Sequence, residues 1–300
     1  MKLLSITILY LIILFTPFQI SAQDSTETDE EWKWDEEWKM EWEEEWSAWS
    51  NKKPTLSLNY GFSDISRTDM ETRFSDNNLI ELKLGYTYKK ITKYADYIEK
   101  STFNYGFLNR NSTELASGSE PIAGNQTNNW QFGFGWSGGY GYKIGESASI
   151  APYYTSSFTW TNLDFVHTND SLSSNDKRII ELYDESFRFG SSYESGVRIH
   201  ATDLITLEGG YERSIVFERH LFWKWAGSGI IELAAHSLLD VFIKEVFKSS
   251  PSAGPIVFFV LKSALGYGLY ELRQDKMNWP FPSAPPIALD NIKFGVTLTF

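Results

Sequence analysis

Along residues 80–88 apolar and polar positions alternate: Ile80, Leu82, Leu84, Tyr86 and Tyr88 fall on one face, Glu81, Lys83, Gly85 and Thr87 on the other. A period of two is that of a strand with one apolar face. The alternation is sharper over 130–142, where Trp130, Phe132, Phe134, Trp136, Tyr140 and Tyr142 interleave with Gln131, Gly133, Gly135, Ser137, Gly139 and Gly141. It recurs over 187–200, with Phe187, Phe189, Tyr193, Val197 and Ile199 opposite Arg188, Glu194, Arg198 and His200. Weaker versions run through Leu56, Leu58, Tyr60 and Phe62, through Phe103, Tyr105 and Phe107, through Ile150, Tyr154, Phe158 and Trp160, and through Ile205, Leu207 and Tyr211. The last is Ile292, Phe294, Val296, Leu298 and Phe300. Most of these eight segments approach the roughly 9–11 residues that a tilted strand needs to cross a bilayer.

The stretches between them are long at 63–78, 109–128, 163–185 and 213–289, and short or shorter at 89–100, 143–148 and 201–203. Long and short alternate, which predicts an all-β fold: an antiparallel transmembrane up-and-down β-barrel with both ends of the barrel domain at the short-turn side. A soluble β-sandwich would also alternate. The aromatic residues near segment ends and the glycines on the opposite faces fit an interfacial girdle and a narrow lumen better.

The 213–289 stretch departs from alternation. Over 226–247 the spacing is helical, and Glu232, His236, Asp240 and Lys244 recur every four residues on one face. Pro251 and Pro255 end this element, and the apolar run to Tyr270 reads either as a second helix or, through Leu265, Tyr267 and Leu269, as two more strands of a ten-stranded barrel. Eight strands leave no interior room for a helical hairpin, so one is expected to cap the external mouth or lie in the outer leaflet.

Residues 1–22 read as a cleaved secretory signal, with Lys2, an uncharged run from Leu3 to Phe18, and Ser21-Ala22 at the cut. Residues 23–52 then form an acidic segment whose first part, 23–46, has twelve acids against two lysines. That is −10 of the chain's −12, so the remainder is nearly neutral. Trp34, Trp38, Trp42 and Trp46 recur every four residues in it, an indole stripe suited to a membrane interface or a periplasmic partner's groove. Like charges at i and i+4 favour disorder in isolation. No cysteine occurs among the 300 residues, which excludes disulfides, thiol nucleophiles and a lipid-modified N-terminal cysteine. The acidic balance argues against a nucleic-acid partner, and 16% aromatic residues with negative mean hydropathy fit a membrane barrel.

The chain resembles the small eight-stranded outer-membrane barrels of the OmpA/OmpX type over roughly 53–212 and 290–300, in its strand pattern and in the terminal Phe294-Gly295-Val296-Thr297-Leu298-Thr299-Phe300. The resemblance implies a Gram-negative outer-membrane location, lipid as surroundings, and Phe300 as part of a signal read by the barrel-assembly machinery.

Three sets of residues are candidates for function. Glu81, Lys83, Lys89, Lys143, Arg188, Glu194, Arg198, Glu208 and Glu212 fall on inward faces, nearly balanced in charge, and are expected to pair within a filled lumen. Trp130, Tyr140 and Tyr142 join the leader tryptophans as membrane-interface residues. His236 between Glu232 and Asp240 could serve as an oriented base or a metal site, or simply be the polar side of an amphipathic helix. The pattern therefore predicts a structural or surface-interacting barrel without cofactor or metal, the alternatives being a lipid-modifying or lipid-binding enzyme and a narrow channel for small hydrophobic molecules. If the acidic segment orders as an amphipathic helix on contact with membrane or partner, that N-terminal helix before a barrel also resembles the outer-membrane palmitoyltransferases, but 63–78 lacks the histidine that family carries in its first external loop.

Overall fold

The computed structural model describes residues 52–115, 126–145, 147–166, 172–184 and 186–300. The signal, almost all of the acidic segment, and Trp34, Trp38, Trp42 and Trp46 lie outside the described residues. Eight strands form a closed ring in sequence order. They are β1 (Lys53–Ser66), β2 (Asn77–Thr92), β3 (Ala95–Ser112), β4 (Gln126–Lys143), β5 (Ser149–Val166), β6 (Phe187–His200), β7 (Ile205–Val216) and β8 (Ile287–Thr299). Every neighbouring pair is antiparallel, including the closing pair β1–β8, whose register runs from Thr55 opposite Thr299 to Ser66 opposite Ala288. Closure leaves no unpaired edge, the condition for a sheet to stand in hydrocarbon.

Each predicted segment lies within its strand or ends one residue beyond it, but the strands are longer, up to 18 residues. The excess lies mainly at the long-loop end. At the other end Lys93-Tyr94 joins β2 to β3, 144–148 joins β4 to β5, and 201–204 joins β6 to β7. The ten-strand alternative is not what forms: residues 254–274 are helical and the ring holds eight strands.

Alternation sends Ser57, Asn59, Glu81, Lys83, Glu194 and Lys293 inward, while Leu58, Leu84, Phe134 and Phe294 stay exposed on the outer wall. β3 reverses the expectation. Phe103, Tyr105 and Phe107 point into the lumen, with Leu108 outside. The cause lies on β4, because a Cβ added at Gly133 would come within 2.8 Å of the Phe107 ring and one at Gly135 within 2.5 Å of the Tyr105 ring. Glycines on one strand make room for aromatic side chains on the next, so here the rings are lumen filling.

Helix α1 (Ser174–Tyr183) lies in the third long connection. Ser173 caps it by accepting from the Asp176 amide at 3.1 Å. Its Ile179 and Tyr183 pack with Ile65, Leu163, Val216, Ile287 and Leu289, inward residues of four strands. An apolar plug therefore closes the long-loop end of the barrel.

Helices α2 (Phe222–Ser249) and α3 (Gly254–Gln274) follow β7, separated by a single 3₁₀ turn at Pro251–Ala253. They form the hairpin that the spacing suggested, but in neither expected place. The pair runs down the outside of the barrel. Trp225 of α2 meets Phe158 and Phe189 near the long-loop end, whereas Phe247 meets Tyr94 of the β2–β3 turn and Tyr140 near the end of β4. Helix α3 then climbs back, from Phe258 on Tyr140 to Arg273 on Tyr193.

Candidate functional site

The inward side chains stack in layers. Nearest the short-turn end, His200 and Thr206 share a 2.6 Å hydrogen bond above a small cavity also lined by Thr87, Ser101, Thr297 and Thr299. The next layer is Arg198, whose Nε donates to Glu208 at 2.9 Å while its guanidinium stacks 3.9 Å from the centre of the Tyr153 ring. Ser57 donates to the other Glu208 oxygen at 2.7 Å.

The middle layer is a cluster of two lysines and three glutamates. Lys293 Nζ lies 3.1 Å from Glu81, 2.7 Å from Glu194 and 2.6 Å from Glu212. Lys83 Nζ lies 3.2 Å from Glu81 and 3.1 Å from Glu194. Tyr153 also donates to Glu194. All five charged side chains are buried, so each charge depends on the others for the solvation it lost. Above them amides carry the network onward: Asn291 donates to Glu212 at 2.9 Å, Asn109 to Gln131 at 2.8 Å, and Gln131 to Thr161 at 2.9 Å. The apolar plug under α1 completes the stack.

Of the predicted inward charges, Glu81, Lys83, Glu194, Arg198, Glu208 and Glu212 meet in these layers. Three do not. Lys143 is exposed where β4 ends, and Lys89 is half-buried at the short-turn end. Arg188 sits beyond the plug, donating to the carbonyls of Glu218 and Leu182. The hub of the cluster, Lys293, escaped the sequence reading although the alternation of Ile292 and Phe294 already assigns it to the inward face.

Outside the plug, Arg67 gathers the connections. It donates to Tyr183 at 3.1 Å, to Asp69 at 2.6 Å and to Glu218 at 2.9 Å. Burial pushes the Tyr183 phenol up. Burial also works to raise the Asp176 carboxyl, but hydrogen bonds from the Thr72 hydroxyl at 2.6 Å and the Thr72 amide at 3.0 Å outweigh it and hold the group below the usual carboxylate range.

The third set lies between hairpin and wall. Glu232 accepts from Arg273 at 2.8 Å and from the hydroxyl of Tyr193, and Arg273 also donates to Ser228 at 2.9 Å. The His236 ring lies tilted against Tyr154, 5.7 Å between ring centres, and Lys262 Nζ lies 3.3 Å from its Nδ1. Lys262 in turn pairs with Asp240 at 2.7 Å. To the carboxylates expected to flank His236, α3 therefore adds an ammonium, that of Lys262. Among the described residues no cluster of His, Asp and Glu suits a metal ion. Tyr140 and Tyr142, expected at the membrane interface, lie half-buried beside the elbow, where Tyr140 packs on Phe247 and Phe258 and Tyr142 donates to the Ser252 carbonyl. Trp130 stays on the outer wall beside Arg110, near the long-loop end.

A closed antiparallel eight-stranded ring with an apolar outer wall and a polar inner face defines an outer-membrane β-barrel. The family of the outer membrane protein beta-barrel domain matches residues 44–232, and the chain belongs to that family. It is an outer-membrane protein, which makes the short turns periplasmic and the long connections external. No curated protein matches the chain. Among solved structures it is similar to Neisserial surface protein A, at 10% identity and a TM-score of 0.36, over 82% of this chain and 97% of that one. Ail, the attachment invasion locus protein of Yersinia pestis, is similar at 8% identity and a TM-score of 0.32, over 83% and 99%.

Proposed function

We propose that this is a non-conducting outer-membrane protein of structural or surface-interaction type, whose barrel is a filled post rather than a pore. The observation that carries the reading is the buried middle layer, in which Lys293 and Lys83 fill the lumen together with Glu81, Glu194 and Glu212. An ion passing through would have to break charge pairs that exclude water, and then displace the plug of Ile179 and Tyr183. The folded external cap around Arg67 and Asp176 supports the surface part, since it offers outside contacts a fixed shape. Purified protein in planar bilayers is expected to give no unitary conductance steps; steady openings would overturn the reading.

Assembly belongs to the same proposal. The Phe300 amide pairs with the Pro54 carbonyl at 2.9 Å while its ring stays exposed, leaving the terminal side chain free for recognition by the assembly machinery. Deleting Phe300 is expected to lower the yield of the heat-modifiable folded form in membranes, and an unchanged yield would remove that role.

A further inference from the structure

We propose that α2 and α3 form a membrane-spanning helical hairpin held against the barrel's outer wall, with lipid acyl chains covering its outer face and its elbow at the periplasmic surface. The 28 residues of α2 and the 21 of α3 extend about 42 and 31 Å at a rise of about 1.5 Å per residue. Both exceed the barrel's apolar band of about 25 Å. Both are apolar enough to cross a membrane. A helix in water hides its large apolar side chains, yet Trp223 is 75% exposed and Leu238 74%. This apolar surface continues that of the barrel wall, where Phe134 and Phe294 also lie open. One solvent suits both surfaces, and the wall's solvent is lipid.

The seam supports the same placement. In hydrocarbon, two apolar surfaces gain nothing by leaving lipid for each other, so a helix stays on a wall through polar contacts and close packing. The wall under the hairpin is built for that. Between the aromatic contacts at its two ends, the outward residues there are Ser156, Ser191 and Ser195 with Tyr154 and Tyr193, whereas the free wall carries bulky apolar side chains throughout. Tyr193 joins Glu232 and Arg273, and Gly266 passes over the Tyr154 ring, which a Cβ would approach to 3.0 Å. Lys262 lies eight residues into α3, about 12 Å from the elbow and so near mid-band. There its charge is met by Asp240 at 2.7 Å. The remaining charges on α2, Lys224 and then Lys244, Glu245 and Lys248, fall toward its two ends, where headgroups and water are in reach.

The chain has no cysteine, so single cysteines report without background. Three variants, each first checked for heat-modifiable migration, test the placement: Arg219→Cys in the external connection, Leu238→Cys on the outer face of α2, and Ser252→Cys at the elbow. With a polymer-linked maleimide too large for porins, Arg219→Cys is expected to label on intact cells and Ser252→Cys only after the outer membrane is permeabilised. Leu238→Cys should label only after denaturation. In reconstituted vesicles a photoactivatable acyl-chain lipid should cross-link the peptide around residue 238. Labelling of Ser252→Cys on intact cells, or of Leu238→Cys in the folded protein, would overturn the proposal. So would failure of the lipid cross-link, or oxidative dimerisation through Leu238→Cys, since protein would then be the occupant. None of these readouts depends on whether the lumen conducts.

Discussion

Lys293 shows how much one side chain can carry in a sealed lumen. Its ammonium is shared by three glutamates, and replacing it by methionine keeps the bulk while leaving Glu81, Glu194 and Glu212 with Lys83 as the remaining cation of their cluster. Breaking a buried ionic cluster this way costs about 3–5 kcal/mol. Lys293→Met is therefore expected to lower the temperature and urea concentration at which the folded gel band converts to the unfolded one. An unchanged midpoint would mean the cluster is solvated. Asp176 acts on the outside, and its effect depends on pH. Its carboxyl is held below the ordinary aspartate value of 3.8, so the folded state gains stability from the anion above that pH and loses it as pH falls through the lowered value. Protection of the α1 amides against hydrogen exchange, taken relative to the intrinsic rate at each pH, should accordingly fall only under strongly acidic conditions, and Asp176→Asn should lower that protection at neutral pH and remove its further loss in acid. Alternation alone made most of the inward charges legible, but Lys293 was missed although Ile292 and Phe294 on either side of it alternate outward. The lumen aromatics were not legible, because Phe103, Tyr105 and Phe107 read as a lipid face until the glycines opposite them are seen across β4. Sequence period gives two faces, and which one points inward is decided by the neighbouring strand.

At the scale of elements, the barrel is complete without its hairpin. All eight strand pairs form among residues 53–299, and neither α2 nor α3 contributes a rung to the ladder. Replacing 222–274 by a short Gly/Ser linker is expected to leave a heat-modifiable barrel, with stability lowered by exposure of Tyr154 and Tyr193 to lipid. A variant that never folds would show that the hairpin takes part in ring closure. The helical spacing of 226–247 and the break at Pro251 made α2 readable in sequence, whereas the stretch to Tyr270 read equally as a helix or as two strands until α3 was seen. Their resting place was not readable. It depends on Tyr154, Ser156, Ser191, Tyr193 and Ser195 sharing one patch of wall, a juxtaposition made by the β5–β6 register, in which Tyr154 lies opposite Ser195 and Ser156 opposite Tyr193. The elbow beside Tyr140 and Tyr142 was equally hidden, because a periodic aromatic face does not show which helix residues pack next to it.

For the whole molecule, inner and outer surfaces do separate work. The inside is a column of charge layers, amides and an apolar stopper, and the outside is lipid wall on most sides with one polar stripe for the hairpin. The net charge of −12 belongs chiefly to residues 23–46, leaving a nearly neutral body. The route of the chain between β7 and β8 adds a rule of parity. Helix α2 descends the wall and α3 ascends it, so the chain returns to the end where it left β7, and β8 can pair antiparallel with both β7 and β1. A single pass would deliver β8 from the opposite end, pointing the same way as its two neighbours, and the ring could not shut in its present pattern. Whatever is inserted at this corner must therefore cross an even number of times. The hairpin can be acquired or lost only as a pair, never one helix at a time.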